Sequence, residues 1–471
     1  MLTILANVVR NKAMAKLLGT PGVGLNSLLY SAQTFASQCT NLGISFGAVP
    51  RLSDCYERGD EEQIVYNIQM IRLWSFIAAG LGFLFCLAVS PLLGDLTFTW
   101  GHFYRHYAAL GLSVAAMAIT GGETAILKAT RQLGKLARVQ AYTAMASMAI
   151  TLLLLYLLSY SGILPSIILI ALFSALATIA CSYRRYPLRL HFTRKMLLDG
   201  IDILRLGVAF VLAAAFGSGA EMFIRSFLNV DAGLDAVGLY NAGYMIVFTY
   251  AGMAFSAMES DYFPRLSGIS NDIAAVNNMV NKQIEVTLFL LSPMLVTMLM
   301  FLPILVPMLF SHEFQSVVGM AQVAVLAMYF KVLTLPVAYI TLARKDALSY
   351  LCLEAAYYVT LTLSVIVGFR FWGIFGTGLA IVVAHVLEFL TIYCFACLRY
   401  SYRSTAAIGC YAGVQLAIGL AAYAVSRYAE GWVYWTAEAA LVIASTAYSV
   451  YVLHQKTRLW EALRRKFLKA D

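Results

Sequence analysis

The chain has 471 residues, of which 61% are hydrophobic and only 12% charged, and its mean hydropathy is +0.77. About a quarter of the residues of a soluble domain carry charge, so this composition excludes a water-solvated fold and points to a chain solvated by lipid. The net charge of +9 would suit a nucleic-acid binder, but the cations follow a membrane pattern, so nucleic acid is not expected as a partner.

Residues 2–18 begin apolar and then carry Arg10, Lys12 and Lys16. They read as the second half of a membrane helix, a truncated first span. They are not a secretory signal, because the charges follow the apolar stretch and no small-residue cleavage site is present. Apolar stretches of roughly 18 to 27 residues follow, each able to cross a hydrocarbon core about 30 Å thick as a helix that satisfies its own backbone. They lie near 25–49, 70–93, 104–127, 136–158, 163–183, 203–228, 237–262, 283–310, 317–343, 347–369, 373–399, 405–427 and 432–454. With the stub this makes an all-α polytopic membrane protein of about fourteen segments.

With a cytoplasmic amino terminus, the inward loops and the tail hold 24 Lys or Arg, and the outward loops hold only Arg370 and Arg427. That asymmetry puts both termini in the cytoplasm. The tail reads as a basic amphipathic helix lying on the anionic inner leaflet, which makes membrane lipids a partner. Eight cysteines are scattered without an outward pair, so no disulfide framework is expected. Cys394 and Cys397 form a CxxC inside an apolar helix with no second ligand pair, which suits packing thiols better than a metal site. No nucleotide-binding loop, zinc spacing or nucleophile elbow occurs, so no catalytic residue, metal or cofactor is called for.

An internal repeat organises the chain. Val23-Gly24-Leu25 opens the second span and Pro50-Arg51-Leu52-Ser53 closes it, with Tyr30 between. Val237-Gly238-Leu239 opens the eighth and Pro264-Arg265-Leu266-Ser267 closes it, with Tyr244 between. Each pair stands 214 positions apart, as do Gln69 and Gln283, Ala129 and Ala343, and Arg131 and Lys345. Gly and Pro are common helix punctuation, but the same offset at several separate positions marks a duplication. The offset contains six spans, an even number, so the copies face the same way as parallel repeats, a plan in which substrate sites commonly lie between the halves. The expected organisation is an N-terminal lobe over 1–200, a C-terminal lobe over 201–400, two additional helices over 401–454 and the basic tail over 455–471.

Ionisable groups at membrane depth are costly, so each is a functional candidate. They are Arg10 and Lys12 on the stub, Glu221 and Arg225 on span seven, Glu285 at the inner end of span nine, Lys331 midway along span ten, Glu354 on span eleven, and His385 and Glu388 on span twelve. Glu221 and Arg225, four residues apart, can pair with each other. Lys331 cannot snorkel to either interface, so it faces a partner or a watery cavity, and Glu354 is the partner that could neutralise it. Glu285 lies close enough to the border to be solvated. His385 and Glu388, one helical turn apart, have the chemistry of proton carriers, although a buried His can equally be a satisfied packing residue. Arg72 and Arg105, at span ends, read as snorkelling side chains. Tyrosines such as Tyr240, Tyr244, Tyr262, Tyr357 and Tyr358 could line a sugar path or belong to interfacial belts and helix packing.

Several passages carry a family resemblance: Leu18-Gly19 with Gly22-Val23-Gly24-Leu25, LGISFGAVPRLSD followed by GDEEQI, AVGLYNAGY, ESDYFPRLSGISND, VNKQIE, and Lys331 to Pro336 with Ala343 onward. From about residue 10 to 400 the chain resembles oligosaccharide flippases of the O-antigen translocase type. These belong to the multidrug/oligosaccharidyl-lipid/polysaccharide exporter superfamily, with the multidrug and toxin extruders and the lipid-linked peptidoglycan precursor flippases. The resemblance implies two six-helix lobes, two extra C-terminal helices and a central cationic cavity. That cavity would bind undecaprenyl-diphosphate-linked oligosaccharide, such as an O-antigen repeat unit, and release it on the far leaflet of the bacterial inner membrane. A polysaccharide polymerase or chain-length machinery would act as a partner. By motif it implies substrate-binding cations at Arg10, Lys12, Arg225 and Lys331, an acid at Glu354, and a QxE formed by Gln283 and Glu285. Glu221, His385 and Glu388 have no counterpart in the family pattern, and the shortened first span departs from it.

The chemistry agrees with that implication. A diphosphate carries about two negative charges, and taking it unpaired into low dielectric is costly, so its passage needs fixed Arg or Lys. Two alternatives remain. A cation-coupled multidrug antiporter on the same fold calls for a site dominated by carboxylates, whereas cations are at least as prominent here. A membrane glycan polymerase or ligase commonly needs a sizeable external loop, and no outward loop exceeds roughly a dozen residues, long by the standard of connecting loops but short for a catalytic one.

Overall fold

The computed structural model describes residues 2–97, 104–188 and 193–457, so most of the basic tail lies outside the described residues. Among the described residues every regular element is helical. The α-helices are α1 (Leu2–Thr40), α2 (Ile44–Arg58), α3 (Glu61–Thr97), α4 (Tyr104–Ala129), α5 (Leu133–Leu158), α6 (Ile163–Tyr183), α7 (Arg194–Gly268), α8 (Ile273–Leu309), α9 (Val318–Ala343), α10 (Ala347–Tyr400), α11 (Ala406–Tyr428) and α12 (Gly431–Thr457). Nine helical stretches among the described residues are long and apolar enough to cross a membrane. Three of them, Leu133–Tyr183, Phe210–Ser256 and Ala347–Tyr400, run to 51, 47 and 54 residues. At about 1.5 Å per residue each has length for two crossings.

The backbone divides these long stretches where the hydropathy pattern does. Gly19 (φ 65°) interrupts α1, Gly233 (φ 82°) interrupts α7 and Gly373 (φ 57°) interrupts α10. Ser159 (φ 50°) separates α5 from the 3-10 turn that leads into α6. These left-handed positions repeat: Gly19 and Gly233 are 214 apart, as are Ser159 and Gly373, and Arg131 (φ 56°) and Lys345 (φ 57°). Helices α4 and α9, both 26 residues long, begin and end at the same offset. The duplication read from side chains is therefore also written into the chain path.

The chain forms two compact units, Met1–Asn241 with Met308–Glu313 and Ala242–Pro307 with Phe314–Asp471. In the first, α4 packs against α3, α1, α2 and α6, around a core that includes Leu52, Met70, Ile126 and Tyr186. In the second, α9 packs against α10 and α11, around a core that includes Leu266, Ile284, Ile340 and Tyr400. Each of these four pairs again stands 214 apart, so the two cores use corresponding positions. Outside the cores, Leu84, Leu153, Leu176 and Leu363 are each about three-fifths exposed, which suits contact with lipid and not with water. Phe371, Trp372, Tyr428 and Trp432 are also exposed, and they sit at ends predicted to face outward, as an interfacial aromatic belt does.

One expectation is corrected. Arg72 does not snorkel; it is 2% exposed. Its Nε donates to Glu123 Oε1 at 2.8 Å and its NH2 to Glu123 Oε2 at 3.3 Å, a bidentate pair between α3 and α4. The guanidinium also donates to the Pro187 carbonyl and the Ser182 hydroxyl, both at 3.3 Å, and lies 4.1 Å from the centre of the Tyr183 ring. Four residues draw the side chain inward, where snorkelling would have left Glu123 alone.

Candidate substrate and coupling site

The polar groups predicted on spans ten, eleven and twelve converge inside the second unit. Lys331, midway along α9, holds its ammonium 5.9 Å from the centre of the Phe248 ring, and Phe248 stacks on Tyr244 at 4.3 Å. Lys331 makes no ion pair within 4 Å among the described residues, yet Glu354, His385 and Glu388 all lie within its electrostatic reach. A cation held over an aromatic face, close to carboxylates but bonded to neither, is open to a further anion.

His385 is fully buried, with its ring 5.6 Å from Phe248 and 5.2 Å from Tyr357. Its Nδ1 stands 2.9 Å from the Ile381 carbonyl oxygen, which can only accept, so the hydrogen is on Nδ1. Nε2 then faces the Tyr357 hydroxyl at 3.4 Å and Glu388 Oε2 at 4.0 Å. That Glu388 oxygen is buried without a hydrogen-bond partner among the described residues, although a buried polar atom is ordinarily paired. Nearby, Glu259 toward the C-terminal end of α7 is hydrogen-bonded to Tyr339, which also senses Glu354.

The remaining candidates occupy other places. Arg225 belongs to the first unit and is 6% exposed. It donates to the Ser27 hydroxyl at 2.8 Å, to the Glu221 carbonyl and carboxylate at 3.0 and 3.1 Å, and to Asn241 Oδ1 at 3.4 Å. Glu221 and Arg225 thus pair on one helix face. Lys12 donates to the Met308 carbonyl at 2.8 Å, and half-buried Arg10 lies within electrostatic reach of Tyr30. Glu285 in the second unit is paired with Lys456 at the end of α12.

Sequence reasoning passed over three acids inside apolar stretches: Glu123, Glu259 and Glu438. Glu438 on α12 is 0% exposed, and neither carboxylate oxygen has a partner among the described residues. The signal was present, since GGETA and TAEAA each put one acid inside an apolar stretch whose other charges lie at the helix ends. Among the described residues no group of three His, Cys, Asp or Glu converges as a metal site.

A helical chain duplicated along its length, with a cation and acids inside its apolar spans, defines a polytopic α-helical membrane protein. The chain belongs to the polysaccharide biosynthesis protein family, whose model matches residues 13–319. No curated protein shows significant similarity to it. Among solved structures it is similar to the lipid II flippase MurJ in an inward closed conformation, at 12% identity over 96% of this chain and 97% of that one, with a TM-score of 0.71. It is also similar to an inward-facing multidrug resistance MATE family transporter of the MOP superfamily, at 14% identity over 85% and 94% of the two chains, with a TM-score of 0.69. A third is a MOP superfamily transporter from Pyrococcus furiosus whose binding pocket is described as reversed in polarity, at 13% identity over 85% and 92%, with a TM-score of 0.61. At these identities the likeness establishes the fold.

Proposed function

We propose that the chain is a flippase that carries undecaprenyl-diphosphate-linked oligosaccharide from the cytoplasmic to the outer leaflet of the bacterial inner membrane by alternating access, with both termini cytoplasmic. The observation that carries this reading is Lys331, an ammonium midway through a membrane helix with an aromatic face beneath it and no ion-pair partner among the described residues. Such a group binds an anion, and in a polysaccharide biosynthesis family the anion is the diphosphate of the carrier lipid. Arg10, Lys12 and Arg225 supply further positive charge, with Arg225 the least free to rearrange. Glu354, Glu388 and His385 surround the same ammonium, so binding an anion there changes the field at three groups that can exchange protons. Glu221 and Glu285 each balance a cation. A polymerase or chain-length machinery acts on the delivered glycan. The sugars are too polar for lipid and travel within protein, while the prenyl chain stays in the bilayer.

The test is flipping of undecaprenyl-diphosphate-linked oligosaccharide in proteoliposomes. Lys331→Ala is expected to keep the fold and reduce flipping at least tenfold, and in cells to leave the lipid-linked glycan on the cytoplasmic face. Unchanged flipping by Lys331→Ala would remove the ammonium from the site.

A further inference from the structure

The first unit contains a cavity of about 330 Å³ between α4 and α6, within the range of small-ligand sites, and every residue that lines it belongs to that unit. On α4 its wall runs from Met117 to Lys128, about 16 Å along the axis at the α-helical rise. Gly121 and Ala171 are too small to fill the space. On α6, Phe173 and Leu176 beside Ser174 are exposed and apolar, as lipid-facing side chains are, so the bilayer lies next to the cavity.

The polar groups that face the cavity are ordered along α4. Lys128 stands at the basic end of the helix, ahead of Arg131, Lys135 and Arg138. The Thr124 side chain lies one turn, about 6 Å, further into the span, and Ser174 joins it from α6. The other Ser and Thr hydroxyls of these two helices all have partners: Ser113, Thr120, Ser166 and Thr178 donate to carbonyls of their own helix, and Ser182 accepts from Arg72. Among the described residues the hydroxyls of Thr124 and Ser174 and the ammonium of Lys128 make no hydrogen bond or ion pair, and no carboxylate lines the cavity.

We propose that this cavity binds an anionic glycerophospholipid from the leaflet that meets the basic end of α4. The phosphate rests on Lys128, the ester carbonyls accept from Thr124 and Ser174, and the upper part of an acyl chain lies against Met117, Gly121 and Ala171. A glycerophospholipid presents an anion at the interface and, just beneath it, ester oxygens that can only accept; the cavity presents an ammonium and, one turn deeper, hydroxyls left free to donate. An organic cation would need the carboxylate that the lining lacks, and a prenyl phosphate has no ester to use the hydroxyls. Such a lipid is a resident of the first unit and not the transported substrate.

The test uses the purified full-length chain in phosphatidylcholine nanodiscs with a trace of phosphatidylglycerol that carries a diazirine on its upper acyl chain, and crosslinked peptides are located by mass spectrometry. Crosslinks are expected on α4 between 117 and 128 and on α6 at 171–174. Added phosphatidylglycerol should displace them, and added undecaprenyl phosphate should not. Lys128→Gln should weaken labelling there about fivefold, the worth of one basic residue at an anionic surface. The nearly isosteric pair Thr124→Val with Ser174→Ala should weaken it about tenfold, the worth of one or two hydrogen bonds. Ala171→Leu, which fills the cavity, should remove these crosslinks and leave those on other helices, which shows that the fold persists. Wild type without crosslinks at the cavity, labelling that survives unchanged in Lys128→Gln or in the hydroxyl-free pair, or equal displacement by undecaprenyl phosphate overturns the site.

Discussion

The buried pair of Arg72 and Glu123 gives a sharp stability prediction because its two members are unequally supported. Arg72 keeps the Pro187 carbonyl, the Ser182 hydroxyl and the Tyr183 ring if Glu123 is altered. Glu123 has no hydrogen-bond partner other than Arg72 among the described residues. Arg72→Met therefore leaves a carboxylate uncompensated at 2% exposure and should cost about 3–5 kcal/mol, the usual penalty for breaking a buried ion pair from one side. Glu123→Gln keeps an acceptor for Arg72 and should cost only about 1–3 kcal/mol. Replacing both, as Arg72→Met with Glu123→Leu, should cost less than Arg72→Met alone, because well-packed apolar groups often substitute for a buried pair without loss. Thermal unfolding of the purified variants in one detergent, arranged as a double-mutant cycle, reads all three values. The reasoning fails if Glu123→Gln is the more damaging single change, or if the double variant loses the sum of the two.

Three further outcomes follow from other contacts. A Cβ on Gly24 would stand 2.0 Å from the Leu234 carbonyl oxygen and one on Gly238 2.0 Å from that of Thr20; Gly24→Ala should therefore destabilise by about 1–3 kcal/mol. Gly252→Ala, with nothing within 4 Å of the new atom, should cost far less in the same melting assay. Asp346 caps α10, accepting from Ser349 N at 3.3 Å and the Tyr400 hydroxyl at 2.8 Å. Burial works to raise its pKa, but those hydrogen bonds and the Arg399 charge outweigh it and hold the carboxyl below its ordinary range. A depressed folded pKa contributes stability that is present above the unfolded value and lost as pH falls through the folded one. Melting temperatures taken downward from neutral pH should therefore show an acid-dependent decline in wild type that is smaller in Asp346→Asn. If Glu354, His385 and Glu388 couple transport to protons, collapsing the proton gradient across proteoliposomes should slow flipping; an unchanged rate would deny them that role.

How much of this was legible in the sequence depended on whether a feature repeats. The helix breaks at Gly19 and Gly233 lie beside the Val-Gly-Leu motifs that revealed the duplication, and the left-handed pair Arg131 and Lys345 was already recognised as equivalent. Lys331, Glu354, His385 and Glu388 were each visible as charges at membrane depth, and helical spacing placed the last two on one face. Their convergence was not legible, because it depends on how α9 and α10 pack around Phe248. Arg72 was misread for the same reason. Its span-end position permits snorkelling, and only the packing of α3 on α4 shows Glu123 within reach. Glu438, with no partner among the described residues, lies on an added helix that the repeat does not describe, so no counterpart called attention to it.

The two halves of a duplicated membrane protein start from one sequence, so what now distinguishes them bears on function more directly than what they share. At corresponding positions of the two cores the residues are interchangeable: Leu52 for Leu266, Ile126 for Ile340, Tyr186 for Tyr400. At other aligned positions they are not, since Met117, Ala171 and Ser174 correspond to Lys331, His385 and Glu388 in the alignment of repeats. The first half places its own buried charge elsewhere, in Arg72 and Glu123, where both are saturated. The corresponding positions of the second half are Val286 and Val337. The Arg72–Glu123 pair thus holds helices together, whereas at Lys331 and Glu388 in the second half charged groups are left without a partner among the described residues. A group that is left unsatisfied at membrane depth costs free energy unless something binds it. It is the second half that bears this cost at Lys331 and Glu388, and therefore the second half where the proposed transport chemistry is to be sought first.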